Sequence, residues 1–469
     1  DPRQDRAVGL DVHLEISRAR PGRSLEEALR AAVVEGRLAP GTRLPATRAL
    51  ASDLGLSRTT VAAVFAQLTA EGWFTARVGA GTWVAERQAA ARPGTVASVR
   101  RPGVRVDLRA GIPDTTGFPR REWLAAVRRA AGSPAADLGY PDPAGTPRLR
   151  AALAAYVART RGVVVAPGGL VVGHGFGDLL LLACRALHDR GARRVAVEEF
   201  GLASHRALVA SAGLEVVALR VDQDGAVVDV LDDEVDAVLL TPAHQFPTGV
   251  PLAPDRRRAV VAWAQRTGGT ILEDDYDGEF RYDRRAVGAL QSLDPGHVVY
   301  LGTASKALAP AVGLAWAAPP DDLLGDLLAQ RELSGGQPSG LQQLALAAFL
   351  EDHAYDRNVR RLRAVYRARR ALLEEVVAAE LPGCEVGGLP AGLHGVLRLP
   401  AEAGVDAEEA ITRAAAARGV LVETLSAFRA PGPADPASAI VVGYGGATPG
   451  QYERALVVLV ESVRAVLTG

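Results

Sequence analysis

Apolar positions in the first part of the chain recur every three or four residues. Leu25, Ala28, Leu29, Ala32 and Val33 make one helical face, with Ser24 read as the N-cap and Glu27 completing a capping box. After a turn at Pro40 and Gly41, residues 46–54 read as a second helix, Gly55 as a tight turn, and Ser57 as the cap of a third helix running to about Glu71. Val61, Val64, Phe65 and Leu68 give that third helix its core face. Two short runs around a bare tip at residues 77–81 then read as a β-hairpin. From Val106 onward the pattern changes. Short apolar runs at 194–197, 214–219, 237–240, 270–272 and 298–301 alternate with helix-length segments, as in a mostly parallel, doubly wound α/β sheet. From about residue 331, long Arg- and Ala-rich helices lead to strands near 395–399 and 440–442 and a closing helix, a smaller α/β lobe. Residues 87–105 carry no apolar period and read as a linker. The expected organisation is an α+β helix-turn-helix domain over 12–86, the linker, and an α/β domain over 106–469, its large lobe about 106–330 and its small lobe about 331–469.

Composition narrows this picture. A chain of 469 residues that is 48% hydrophobic can bury two or three cores. Its apolar stretches, such as Leu179–Cys184, are far shorter than the roughly 20 residues that span a bilayer, and its charged N-terminus lacks a signal-peptide core, so no membrane partner and a cytoplasmic location are expected. Cys184 and Cys384 lack metal-ligand spacing, which implies neither a zinc site nor a disulfide framework. Residues 1–105 hold 16 Arg against 10 acidic residues, although the whole chain has a net charge of -1. A basic module on an acidic body suits a fused nucleic-acid reader. Of the 53 basic residues one is lysine, Lys306. A composition that uses arginine everywhere else suggests that Lys306 does what a guanidinium cannot, which is to lose a proton and act as a primary amine.

Helix, tight turn, helix and hairpin in that order describe a winged helix-turn-helix. Recognition helices offer their first turn to the major groove, so Arg58, Thr59 and Thr60, after the Ser57 cap, are candidates for base edges or phosphates, with Arg43 and Arg48 on the flanking backbone. The hairpin tip carries Arg77, Gly79 and Gly81; a basic tip bare of side chains can approach a groove closely. A helical hairpin used only for packing would explain the helices but not the basic tip. Residues 24–86 resemble the winged helix-turn-helix of the GntR family, with G-x-x-L-P-x-x-R, L-G-x-S-R-x-T-V, E-G and R-x-G-x-G-T in sequence order.

In the larger domain, the strand at 270–272 runs into Glu273, Asp274, Asp275 and Tyr276, and the strand at 298–301 into Gly302, Thr303, Ala304, Ser305 and Lys306. Carboxyl ends of parallel strands are where open α/β sheets bind ligands. Pyridoxal phosphate needs an amine, a carboxylate beside its pyridine nitrogen, a hydroxyl near its ring oxygen, and phosphate anchors. Lys306, Asp274 and Tyr276 suit the first three roles, and Thr303 and Ser305 the last. A surface Ser-Lys loop beside an acidic strand end is the plainer alternative. The segments LRAGIPD (108–114), FPRREW (118–123), YPDPAGTPRLR (140–150), TPAHQFPTGV (241–250), EDDYDGEFRY (273–282) and YLGTASKALAP (300–310) resemble fold-type I aminotransferases, and specifically the MocR subfamily of GntR regulators, over nearly the whole chain. The resemblance implies a Schiff base on Lys306, Asp274 on the ring nitrogen, Tyr276 on the ring oxygen, a phosphate-binding helix start at Gly175 and Phe176, and Tyr140 reaching the phosphate across a dimer interface. It also implies operator DNA, a head-to-tail homodimer and a small amine or amino-acid effector.

Four positions depart from that pattern. Gly313 stands where an arginine would pair with the phosphate, seven residues after the lysine. The helix start reads His174, Gly175, Phe176, Gly177, Asp178, bringing a carboxylate near the anion site. Leu202 replaces the ring-stacking aromatic, and residues 435–442 contain no arginine for a substrate carboxylate, Arg429 being the nearest candidate. The expectation is a DNA-binding regulator with weakened cofactor affinity or an effector other than an ordinary α-amino acid. The alternatives are an active aminotransferase with an appended DNA-binding domain, and a regulator whose second domain has given up the cofactor. His244 and the other histidines are expected to be structural.

Overall fold

The computed structural model describes residues 20–77, 80–86, 106–282, 287–431 and 438–468. Residues 12–19, Gly79 and the expected linker 87–105 lie outside the described residues. The chain divides into two compact units between Arg100 and Arg101.

The first unit contains α1 (Pro21–Val34), α2 (Thr47–Leu54), α3 (Arg58–Ala70) and the antiparallel hairpin of β1 (Phe74–Arg77) and β2 (Gly81–Val84). The Ser24 capping box is not formed. Pro21 opens α1, since its fixed φ suits the first helical position and it has no amide to satisfy, and Ser24 lies inside the helix with its amide donating to the Arg20 carbonyl. Gly55 ends α2 at φ 65°, a left-handed conformation that a residue with a Cβ adopts at a cost, and this sets the tight turn into α3. Ser57 caps α3 as expected, its hydroxyl accepting from the Thr60 amide at 3.1 Å. Leu25, Leu29, Val61 and Leu68 are fully buried between the helices, each contributing about 2 kcal/mol of burial energy, and Phe65 meets Phe74 edge-on at 5.5 Å. Arg30 ties α1 to the end of α3 by bonding Glu71 at 2.7 Å.

The second unit opens with β3 (Val106–Asp107), α4 (Arg120–Ala131), α5 (Pro147–Arg161), β4 (Val171–Gly173) and α6 (Phe176–Asp189). Next come β5 (Arg194–Glu198), α7 (Ala203–Ser211), β6 (Glu215–Leu219), and the short ladder of β7 (Val221–Asp222) with β8 (Gly225–Ala226). Then follow β9 (Ala237–Leu240), α8 (Pro254–Thr267), β10 (Thr270–Asp275), β11 (Val298–Thr303), β12 (Ala315–Ala318) and α9 (Asp321–Ser334). The long helices α10 (Gly340–Glu351) and α11 (Ala354–Glu380) precede β13 (Glu385–Gly387) and β14 (His394–Arg398). The chain continues through α12 (Val405–Ala417), β15 (Val420–Leu421), β16 (Glu423–Thr424), β17 (Ala439–Gly443) and α13 (Pro449–Leu467).

Among the described residues, seven strands form the main sheet in the order β4-β12-β11-β10-β9-β5-β6, parallel from β11 to β6, with β12 antiparallel to both its neighbours. The five runs read as strands are β5, β6, β9, β10 and β11. Alternation along β10 buries Ile271 with α8 on one face and Leu272 with α6 and α9 on the other. A second, antiparallel sheet of order β13-β14-β17-β16 forms the C-terminal lobe. The first strand of the unit, β3, pairs with β15 of that lobe and not with the main sheet. The segment after β3 passes so close to residues 443–446 that a Cβ at Gly445 would lie 1.9 Å from the Ile112 carbonyl, and this approach delivers Ala110 and Gly111 to the carboxyl edge of the main sheet. Among the described residues no helix is long and apolar enough to cross a membrane.

Candidate DNA-reading face and ligand cavity

In the first unit, Arg48, Arg58, Thr59 and Arg77 are exposed, and Thr60 is half-buried. The hydroxyls of Thr59 and Thr60 both lie within hydrogen-bond distance of Ser57 Oγ, at 2.8 and 2.7 Å, so the cap also fixes the first turn of α3. Arg43, read as a backbone-flanking residue, is engaged within the unit. It donates to the Ala80 carbonyl at 2.9 Å and, like Arg77, lies over the Trp83 ring, at 5.8 and 5.2 Å respectively. These contacts hold the hairpin tip with two guanidinium groups beside the exposed Gly81.

In the second unit, the ends of β5, β9, β10 and β11 converge on a cavity of about 190 Å³. The pleat of β10 separates its acidic residues. Glu273 turns away and accepts the Leu290 and Gln291 amides at 2.7 and 2.9 Å, and Asp275 forms a buried two-bond pair with Arg161 at 2.6 and 2.9 Å. Asp274 and Tyr276 face the cavity. Asp274 is 5% exposed and its Oδ1 has no hydrogen-bond partner. Burial, then the neighbouring Asp275 and Asp277, raise its pKa well above the carboxylate range, with Lys306 opposing. Lys306 donates from Nζ to the Gly111 carbonyl at 2.7 Å, and burial lowers its pKa against the pull of Asp274 and Asp277. The Tyr276 hydroxyl and an Asp277 oxygen sit 3.1 and 2.8 Å from His244 Nδ1, which makes His244 the brace of Tyr276. Thr303 donates to Ser305 Oγ at 3.0 Å, and both residues line the cavity. Phe176 lines it too, while Gly175 stands outside as the N-cap of α6, whose first turn has no side-chain cap.

Two expectations change. Asp178 is not an uncompensated charge, because it accepts the His174 amide and pairs at 2.9 Å with Arg331, whose side chain is fully buried. Arg429 does not reach the cavity. Its guanidinium pairs with Glu199 at 3.3 Å and lies over Phe200 at 5.4 Å. Tyr140, expected to serve a partner's site across a dimer interface, is fully exposed and is not among the cavity residues of its own unit. Gly313 adopts φ 59° as the end of a short 3-10 turn, with the His174 carbonyl 3.7 Å from where a Cβ would stand. Sequence reading missed Glu198, Thr241 and His205. Glu198 was findable, since it ends a parallel strand just as Asp274 does. Burial pushes its carboxyl up to about 7 although Thr241 and Gln245 bond it, and all its hydrogen bonds go to Oε2.

A winged helix-turn-helix followed by a fold-type I aminotransferase-like unit is the class that this fold and these strand-end residues define. Residues 21–84 match the description bacterial regulatory proteins, gntR family, and residues 105–457 match aminotransferase class I and II. The chain is 32% identical to the HTH-type pyridoxine biosynthesis transcriptional regulator PdxR of Corynebacterium glutamicum, over 90% of this chain and 91% of that protein. It is also 32% identical to the probable rhizopine catabolism regulatory protein MocR of Rhizobium meliloti, over 91% of this chain and 90% of that protein. Among solved structures, an archaeal alanine:glyoxylate aminotransferase superposes with a TM-score of 0.69 at 22% identity, covering 77% of this chain and 91% of that one, a likeness of fold. The chain belongs to the MocR subfamily of GntR-type transcription regulators, and its second unit to the class I and II aminotransferase family.

Proposed function

We propose that the chain binds operator DNA through the first turn of α3 and the hairpin tip, and holds pyridoxal phosphate on Lys306, so that the cofactor or a small amine reaching it is the signal. The observation that carries the cofactor half is the orphaned Oδ1 of Asp274, buried and facing the same cavity as the Lys306 amine. A protonated pyridine nitrogen is the partner that such a carboxylate lacks. When bound, the cofactor supplies an aldehyde that takes up a primary amine. The chain's own residues do the rest. Lys306 offers an amine whose proton burial has loosened, Tyr276 is fixed by His244 near the ring oxygen, and Thr303, Ser305 and the uncapped amides of α6 offer donors to the phosphate.

The carboxylate side of the cavity favours regulation over transamination. Val441 is fully buried in an apolar cluster with Phe246, Tyr276 and Phe428, Arg429 is bound to Glu199, and no described cavity residue is an arginine. An α-amino acid would bury its carboxylate there without a partner, so the effector is the cofactor itself or an amine lacking that group. The fully exposed Tyr140 near exposed Leu138 supports a head-to-tail homodimer in which Tyr140 serves the partner's site. The test is a titration of the full-length protein with pyridoxal phosphate, read by visible absorbance, followed by a small amine such as propylamine or by alanine. A visible band that moves with the amine and not with alanine is expected, together with a footprint on the DNA upstream of the gene. No visible band would end the cofactor reading; efficient conversion of alanine would favour the aminotransferase.

A further inference from the structure

Leu202, 38% exposed, stands at the cavity where the family pattern places a ring-stacking aromatic. An aliphatic side chain there offers no π face to a planar ligand. One turn further along α7, His205 reaches the same cavity. Its imidazole packs on Phe176, the first residue of α6, with ring centroids 4.7 Å apart and planes 37° apart. Phe176 lines the cavity as well, so two aromatic rings from two helices meet at one wall. The imidazole makes no hydrogen bond within the described residues, and neither ring nitrogen is a buried orphan. Burial, then the nearby Lys306 and Arg206, push its pKa down to about 4, so the ring is neutral at physiological pH. A neutral imidazole can lie against a protonated pyridine ring without the repulsion that an imidazolium would bring.

We propose that His205, braced by Phe176, covers the ring face of the phosphorylated heteroaromatic ligand held at Lys306, in the place that Leu202 leaves without an aromatic. The assignment rests on the cofactor reading above. It makes His205 a ligand-binding residue, one helical turn along α7 from Leu202.

Pyridoxal phosphate is titrated into the full-length parent and its His205→Ala and His205→Phe variants. Visible absorbance and the circular dichroism of the bound chromophore are followed, and borohydride labelling of the Lys306 peptide serves as the control for seating. The expected result is binding about 3- to 10-fold weaker for His205→Ala with a diminished chromophore dichroism, and recovery in His205→Phe. Parental affinity and dichroism in His205→Ala, with Lys306 still labelled, would overturn the His205 assignment and leave the cofactor reading intact. A parent that neither binds nor labels at Lys306 overturns both. Equal weakening in the Ala and Phe variants, accompanied by a lower unfolding temperature in each, would mean that His205 only packs α7 on α6, and the assignment falls.

Discussion

The two candidate sites of this chain are built in opposite ways. The candidate DNA-reading face lies within one stretch from Arg43 to Gly81, its charged groups are exposed, and the four motifs quoted for its family are present. The cavity draws on residues from Ala110 to Lys306, most of them at strand ends, and four positions of its family pattern are altered. A surface that binds a polyanion depends on a few exposed side chains carried by a small scaffold. A cavity depends on how buried charges are balanced, and a change at one position can be answered by a residue far away in sequence. Asp178 with Arg331 is such an answer, whereas the aromatic proposed to stand in for Leu202, His205, lies one helical turn away.

The contrast is sharpest at the buried ion pair behind β10. Arg161 and Asp275 are 4% and 2% exposed, and Tyr300 also donates to Asp275, at 2.7 Å. Replacing Arg161 by Met strands the carboxylate and should cost about 3–5 kcal/mol in denaturant unfolding of the second unit. A loss under about 1 kcal/mol would mean that the pair is solvated and that the strand end is not held as described. Arg331→Met should cost less, about 2–3 kcal/mol, because Asp178 keeps a quarter of its side-chain surface in water. The same variant should weaken pyridoxal phosphate binding, since Asp178 would then carry its charge unpaired at the start of α6; unchanged cofactor affinity would separate the pair from the phosphate site.

On the other side of the comparison, Arg58→Ala should leave unfolding unchanged and weaken operator binding by about 1–3 kcal/mol in a gel-shift titration at fixed salt. If affinity holds, Arg58 is not on the recognition surface. The smallest effect concerns Glu198, whose carboxyl sits at about 7 in the fold against the ordinary 4.5. A pKa raised by folding favours the folded state fully below about pH 4.5, and that advantage is lost as pH rises through about 7. Glu198→Gln stays neutral, so it should flatten the decline of stability over that interval by about 1–2 kcal/mol. Glu273 and Glu279 titrate in the same window and preserve part of the slope. An identical pH profile for the variant would place Glu198 in water.

Much of the fold was legible because periodicity reports burial. The five strand runs and the helix-turn-helix were readable from apolar spacing and from glycine and serine at turn and cap positions. The capping box at Ser24 was misread because Pro21, which opens the helix, competes for the same local signal. Lys306, Asp274 and Tyr276 were legible as cavity residues because strand ends face the ligand side of a parallel sheet. The role of Arg331 was not, for it stands 153 residues from Asp178 and nothing local to either marks the pair. His205 was hidden for a related reason. A ring that contacts Phe176 across two helices leaves no periodic trace in sequence, whereas Glu198 was findable from its place at the end of β5.

Whether the one lysine of this chain holds pyridoxal phosphate is decided by borohydride reduction and peptide mapping. The protein is incubated with pyridoxal phosphate, reduced, digested and analysed by mass spectrometry beside a Lys306→Ala variant. A single reduced phosphopyridoxyl adduct is expected on the peptide containing Lys306, and none in the variant. An unmodified Lys306 peptide from folded, DNA-binding protein saturated with pyridoxal phosphate would contradict it.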